Sequence, residues 1–232
     1  MSNNFVIIVA AGTGTRMNGK LPKQFIPLDG KPILMHTMDK FRASSTNPTI
    51  ILVLSEGMQS FWEESCQDQQ YLNTPHICVG GSSRFQSVKN GIDYIQENFG
   101  QKEIGKIAVH DAARPLLSSK LIDELYEQCS EGRQAVIPAV QSSNSVRVGT
   151  QESNAAVDRQ QVWLVQTPQV FIGKLIIKAY EQEESPLFTD DASVIEQMSN
   201  SIYLHPGEQQ NLKITFAEDL AIAHLLLNKS ST

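Results

Sequence analysis

Residues 5–10 read FVIIVA, and residues 49–54 read TIILVL. Continuous β-branched runs of this length, bounded by turn residues, are strands buried on both faces. Strands of that kind need helices on either side of the sheet, and the intervening sequence supplies them. Residues 31–41 carry apolar side chains near the helical period, and residues 77–79 form a short third strand ending in Gly80-Gly81. Residues 83–99 then place Phe85, Val88, Ile92 and Ile95 on one helical stripe. Residues 106–109, 121–129 and 135–137 continue as strand, helix and strand. The alternation predicts an α/β fold of Rossmann-like type, a doubly wound and mostly parallel sheet with crossover helices.

Between Gln141 and Gln161 the pattern breaks. Residues 146–148 alternate, 149–154 are turn chemistry, and 155–157 resume. This predicts a β-hairpin inserted in the series, too short to bury a core of its own. The tail reads as helix (190–198), strand (202–204), strand (212–215) and terminal helix (217–227). With no linker or repeat, the expected organisation is one domain over residues 1–232, with 139–161 as a protruding arm. A second subunit is the economical surface for that arm to pack on.

Nineteen Lys and Arg stand against 25 Asp and Glu, a net charge of −6. That balance gives no general attraction to nucleic acid or to an anionic membrane surface. Anions, if handled, need locally gathered donors. The three cysteines, Cys66, Cys78 and Cys129, form no CxxC pair, and an odd count argues against a disulfide framework. No basic leader precedes the first strand, and no run approaches the ~18 apolar residues of a membrane span. A cytoplasmic protein with reduced thiols is expected.

Four segments could carry chemistry. The first is Ala10-Ala11-Gly12-Thr13-Gly14-Thr15-Arg16-Met17-Asn18-Gly19-Lys20-Leu21-Pro22-Lys23. It fails as a dinucleotide fingerprint because Met17 stands where a third glycine is needed. It fails as a P-loop because Leu21 has no hydroxyl for a metal ion. What is left is open glycine backbone with Arg16, Lys20 and Lys23 attached, which suits phosphate oxygens. The second is Gly80-Gly81-Ser82-Ser83-Arg84-Phe85-Gln86-Ser87, a helix start that Ser82 or Ser83 can cap. The third, His110-Asp111-Ala112-Ala113-Arg114-Pro115, follows a strand whose carboxyl end faces the ligand crevice of open α/β sheets. Asp111 there suits a Mg²⁺ that bridges phosphates, although a strand-end Asp also serves as a cap or turn former. The fourth is Thr189-Asp190-Asp191-Ala192, with Thr189 read as N-cap and the acids favouring the helix dipole. Lys213, between Leu212 and Ile214, is placed oddly for a strand cation unless it faces a cleft. His36, His76, His205 and His224 show no metal-pair spacing, and no GxSxG or Ser-His-Asp pattern occurs.

Taken in order, AAGTGTRM…LPKQF, GGSSRFQSVKNG, HDAARP, VDR, QTPQ, TDDA and NLKIT resemble the 2-C-methyl-D-erythritol 4-phosphate cytidylyltransferase family over nearly the whole chain. The resemblance implies transfer of CMP from CTP to a polyol phosphate with release of pyrophosphate. It implies Arg16, Lys23 and Lys213 as catalytic cations and Asp111 as the Mg²⁺ ligand. It places Ala10, Ala11, Gly12, Gly14, Gly80, Gly81, Ser87 and Ala112 at CTP. It places Arg114, Ser145, Arg159, Thr167 and Thr189 at the acceptor, Arg159 coming from the arm of the other subunit of a homodimer. One segment departs: where the family carries an Asp-Thr pair, an aliphatic residue and a Lys, this chain has Ser143-Asn144-Ser145-Val146-Arg147. Two rivals share parts of the pattern, a ribitol 5-phosphate cytidylyltransferase and a non-catalytic nucleotide-binding regulator.

Overall fold

The computed structural model describes residues 3–12, 22–100 and 104–229. Strand β1 (Asn3–Ala10) lies in the middle of an eight-stranded sheet. A small hairpin of β2 (Pro27–Leu28) and β3 (Lys31–Pro32) leads into helix α1 (Ile33–Arg42). Then come β4 (Thr49–Leu54), α2 (Met58–Asp68), β5 (His76–Val79) and α3 (Arg84–Phe99). These are followed by β6 (Ile104–Asp111), α4 (Ser119–Gln128) and β7 (Ala135–Gln141). Strands β8 (Val146–Gly149) and β9 (Asn154–Val157) pair, among the described residues, only with each other. Returning to the sheet are β10 (Trp163–Val165), β11 (Gln169–Ile172), α5 (Gly173–Ala179), α6 (Asp191–Glu196), β12 (Tyr203–Pro206) and α7 (Ala217–Lys229).

The strand order is β10-β7-β11-β6-β1-β4-β5, with β12 on the other side of β7. Pairs β1–β4, β1–β6, β4–β5 and β7–β12 are parallel; β11 with β6 and β7, and β10 with β7, are antiparallel. Successive side chains of a strand face opposite ways, and β1 shows it. Val6, Ile8 and Ala10 join a core with α1, α2 and α4, while Phe5 and Ile7 join a core with α3, α5 and α6. Both faces are therefore covered, as the unbroken apolar runs require. Gly91 lets α3 lie against β1, since a Cβ there would sit 2.9 Å from Ile7 Cγ2.

The chain winds from β1 outward to β5 and then returns to place β6 on the opposite side of β1. This reversal opens a crevice at the carboxyl ends of β1 and β6. Ala10 and Asp111 are the last residues of those two strands.

Three readings of the sequence are corrected. Residues 212–215 form no strand: Ile214 donates its N–H to Ala113 O at 2.9 Å, but no ladder forms, and Ile214 is instead buried among Leu28, Ile33, Leu116 and Ala223. Thr189 does not cap α6. Asp190 does, accepting from Ser193 N–H in a reciprocal capping box, because its carboxylate reaches the N3 donor one residue later. Helix α1 starts at Ile33 rather than Lys31, since Pro32 is its N-cap and Lys31 is already paired with Leu28.

Candidate active site

The crevice is a cleft of about 400 Å³. Its walls come from the end of β1 (Ala10 to Gly12), the segment entering α3 (Gly81 to Arg84, with Ser87), and the end of β6 (Asp111 to Ala113). Lys23, Gln24, Lys213 and Thr215 complete it. Each segment is held from behind. Gln24, buried, donates through Nε2 to Ala10 O at 2.6 Å, and Ala112 N–H donates to Val9 O at 3.2 Å. Ser83 caps α3, and Ser87 Oγ donates to Ser83 O at 2.7 Å while accepting Gly81 N–H at 3.1 Å. Gly80 has no room for a side chain, because a Cβ would stand 2.5 Å from Ala11 Cβ. The result is a backbone-lined floor beneath the N-terminus of a 16-residue helix, where the unpaired N–H groups and the dipole favour negative charge.

Charge concentrates on Asp111. Lys213 Nζ lies 2.8 Å and Arg114 Nε 3.5 Å from its Oδ2, and Arg84 Nε lies 3.8 Å from its Oδ1. Burial would raise this carboxyl, but Arg84, Lys213 and Arg114 outweigh it and hold it well below the ordinary carboxylate range. Behind it, His110 is completely buried, and burial pushes its ring down to about 3 although Asp111 pulls the other way. The ring is neutral, and its bonding fixes the tautomer. Nε2 donates to Arg114 O at 3.3 Å, so Nδ1 accepts from the Thr167 hydroxyl at 2.9 Å. Thr167 Oγ1 in turn accepts Asp111 N–H at 3.1 Å. A neutral histidine and a threonine thus lock the backbone that aims Asp111.

Arg84 and Asp191 went unassigned in the sequence. Arg84 Nη1 and Nη2 donate to the two oxygens of Asp191 at 2.9 and 2.7 Å, and Asp191 is completely buried. Burial works against the Arg84 charge, but Asp191 beside it holds the guanidinium above its usual range. Within GGSSR nothing local signals a partner for Arg84, and an acid in a first helical turn passes for a dipole effect. Three cations, Arg84, Arg114 and Lys213, therefore meet two carboxylates, and Lys23 adds another positive group to the wall. Such a cleft attracts a polyanion.

The structure brings Lys23, Lys213, Asp111, Ala10, Ala11, Gly12, Gly81, Ser87 and Ala112 to this cleft. Arg114 stands beside it, held by Asp111 and by Asn211 O at 2.8 Å. Thr167 is buried behind Asp111, and Gly80 closes the turn with its N–H on Leu54 O at 2.7 Å. Thr189 is exposed at the start of α6. Ser145 and Arg159 lie just before and just after the β8–β9 hairpin, both exposed, and Arg159 Nη1 donates to Ser143 O at 3.1 Å. Arg16, Gly14 and Lys20 fall outside the described residues.

Open backbone, a cation cluster and one carboxylate at a sheet switch point are what a nucleotidyltransferase needs to hold a triphosphate, and the relatives of this chain lie in that class. Residues 4–229 match the family model of 2-C-methyl-D-erythritol 4-phosphate cytidylyltransferase. Enzymes of that name from Phocaeicola vulgatus and Bacteroides thetaiotaomicron are each 43% identical to it, over 97% of this chain and 100% of the first, and 96% and 98% for the second. Among solved structures, the Anaerococcus prevotii 4-diphosphocytidyl-2C-methyl-D-erythritol synthase superposes with a TM-score of 0.82 at 26% identity, covering 98% of this chain and 96% of that one. The Francisella tularensis 2-C-methyl-D-erythritol 4-phosphate cytidylyltransferase gives 0.77 at 33%, covering 97% and 100%. The chain belongs to the 2-C-methyl-D-erythritol 4-phosphate cytidylyltransferase family.

Proposed function

We propose that this protein transfers CMP from CTP to 2-C-methyl-D-erythritol 4-phosphate. A phosphate oxygen of the acceptor attacks the α-phosphorus of CTP. A new P–O bond forms, the bond from the α-phosphorus to the bridging oxygen breaks, and pyrophosphate leaves. The attacking oxygen is already an anion, so no general base is required. The obstacle is the approach of two anions, and positive charge removes it while holding the in-line geometry. The observation that carries this reading is the Lys213–Asp111–Arg84 cluster in the cleft, whose wall Lys23 shares.

Lys23 and Lys213 are assigned to the triphosphate and to the charge that builds on the α-phosphorus, together with Arg16. The backbone at Ala10 to Gly12, Gly81 and Ala112, with Ser87, is assigned to the nucleotide. Among the described residues no group of three His, Cys, Asp or Glu side chains forms a metal cage. One cleft carboxylate fits Mg²⁺, which commonly takes one or two protein carboxylates and fills its shell with phosphate oxygens and water. Asp111 would hold it, and the ion would supply charge neutralisation between the phosphates. Lys213, now on Asp111 Oδ2, is placed to share that role.

The working unit in this reading is a homodimer of single-domain subunits joined through the 139–161 arm. The β8–β9 hairpin leaves the sheet unpartnered, and Trp163, Leu164, Val165, Tyr203 and Leu204 are exposed on the strands flanking β7. Apolar area of that kind marks an interaction surface. Among the described residues no helix is long and apolar enough to cross a membrane. The test is pyrophosphate release from CTP, UTP and ATP with Mg²⁺ and this acceptor. Release with CTP is expected; equal release with all three nucleotides would overturn the assignment.

A further inference from the structure

One guanidinium serves two carboxylates from different elements, Asp111 at the end of β6 and Asp191 at the start of α6. Arg84 opens α3, beside the expected nucleotide loop, and its Nη atoms fork onto Asp191 at 2.9 and 2.7 Å. Its Nε faces Asp111 Oδ1 at 3.8 Å. Asp191 opens α6, two residues after Thr189, which is expected at the acceptor. A helix-start acid serving only the dipole would stay in water. Asp191 instead has no exposed surface, and its Oδ1 also accepts the Tyr180 hydroxyl at 2.6 Å. The start of α6 is pinned a second time by Gln169, itself buried, which donates to Asp190 Oδ2 at 2.8 Å and accepts Ala192 N–H at 2.9 Å. Asp191 is fully buried while the Arg84 side chain stays 32% exposed toward the cleft, and burying a carboxylate against such a partner brings little stability over an apolar pair of the same shape. What it brings is a fixed distance and angle between three elements.

We propose that Arg84, through Asp191, is a positioning residue for the acceptor: it sets the spacing between Asp111 in the nucleotide cleft and the Thr189-Asp190 start of α6. The inference rests on the transferase reading above. Arg is required because only a planar fork reaches both oxygens of Asp191 while turning Nε to Asp111. A displacement of α6 by a fraction of an ångström would move the acceptor's attacking oxygen off the line through the α-phosphorus. The nucleotide floor, built on β1, β6 and the turn before α3, would stay in place.

The test uses the full chain with Mg²⁺, CTP and 2-C-methyl-D-erythritol 4-phosphate, and compares wild type with Asp191→Asn, Arg84→Lys and Tyr180→Phe. Asp191→Asn is expected to raise the acceptor KM or lower kcat by about 10-fold or more, a misplacement effect, with the CTP KM within about 3-fold of wild type. Arg84→Lys, keeping the charge without the fork, is expected to show the same loss against the acceptor; since Arg84 also lines the cleft, the CTP comparison is made on Asp191→Asn and Tyr180→Phe. Tyr180→Phe removes one hydrogen bond from Asp191 and keeps the test alive if the charge variants do not fold; a rise of about 3-fold in acceptor KM alone is expected. CTP affinity falling as far as acceptor affinity, or kinetic constants unchanged in every folded variant, would overturn the inference while leaving the transferase reading intact. No turnover by wild type overturns that reading, and this inference with it.

Discussion

Lys213 Nζ stands 2.8 Å from Asp111 Oδ2 although the two residues are 102 positions apart and share no element. Their meeting depends on the extended segment around Ile214, which hydrogen-bonds to Ala113 and buries Ile214 under α7. Lys213→Ala is therefore expected to lower kcat by about 10²–10³-fold, the usual loss for one group aimed at transition-state charge. Steady-state kinetics and CTP calorimetry check it, with CTP affinity expected to fall far less than turnover.

Asp111→Asn removes the one anion that Arg84, Arg114 and Lys213 share. Arg84 keeps Asp191, Arg114 keeps Asn211 O and Lys213 is partly exposed, so the loss stays below the cost of about 3–5 kcal/mol for orphaning a fully buried charge. The variant is expected to unfold at lower denaturant concentration and to require much more Mg²⁺ for any residual turnover. Chemical denaturation and a Mg²⁺ titration of activity measure the two effects separately.

Thr167→Val keeps the shape of a buried side chain and deletes its hydroxyl. Asp111 N–H loses its acceptor and His110 Nδ1 loses its donor. Unpaired buried groups of this kind cost about 1–3 kcal/mol. Stability is expected to drop by that amount in urea, and Thr167→Ser is expected to restore most of it.

These expectations rest on features the sequence displayed unevenly. Strands β1 and β4 were legible because burial on both faces leaves an unbroken apolar run. The Ser83 cap and the apolar stripe of α3 follow from local chemistry that tertiary packing did not override. Helix α2 was not legible, since Trp62 is its one fully buried side chain and its exposed faces show little periodicity. Strands β10 and β11 were hidden for a different reason: short antiparallel pieces flanking Thr167-Pro168 carry no crossover signature. Of the site, the loops with glycine and cations were visible as patterns. The Arg84–Asp191 pair was not, because a contact across 107 positions depends on how the sheet reverses.

Acid should weaken the fold at a point remote from the cleft. Asp123 accepts from Ser44 Oγ at 2.6 Å and from Thr46 N–H and Oγ1 at 2.9 Å each. Burial would raise it, but these donors win and hold it at about 2. A depressed carboxyl contributes stability above its unfolded pKa of about 3.9 and loses it as pH falls toward the folded value. Asp123→Asn is expected to be less stable than wild type at pH 7, with the gap closing between pH 4 and about 2. Thermal melts across that range show it.

Leu164→Asp places a charge in the exposed apolar strip of β10. If the arm and this strip join two subunits, the variant is expected to run as a monomer by light scattering and to lose turnover, since Arg159 would no longer reach a partner's cleft. An unchanged dimeric mass would remove this strip from the interface, and a monomeric wild type would remove the dimer.

The transfer makes one specific phosphorus–oxygen bond, and phosphorus NMR observes it directly. Wild-type protein with CTP, 2-C-methyl-D-erythritol 4-phosphate and Mg²⁺ is expected to produce the coupled doublets of a new diphosphate bridge together with one equivalent of pyrophosphate. CTP and acceptor resonances left unchanged, or phosphate released without a new bridge, would contradict it.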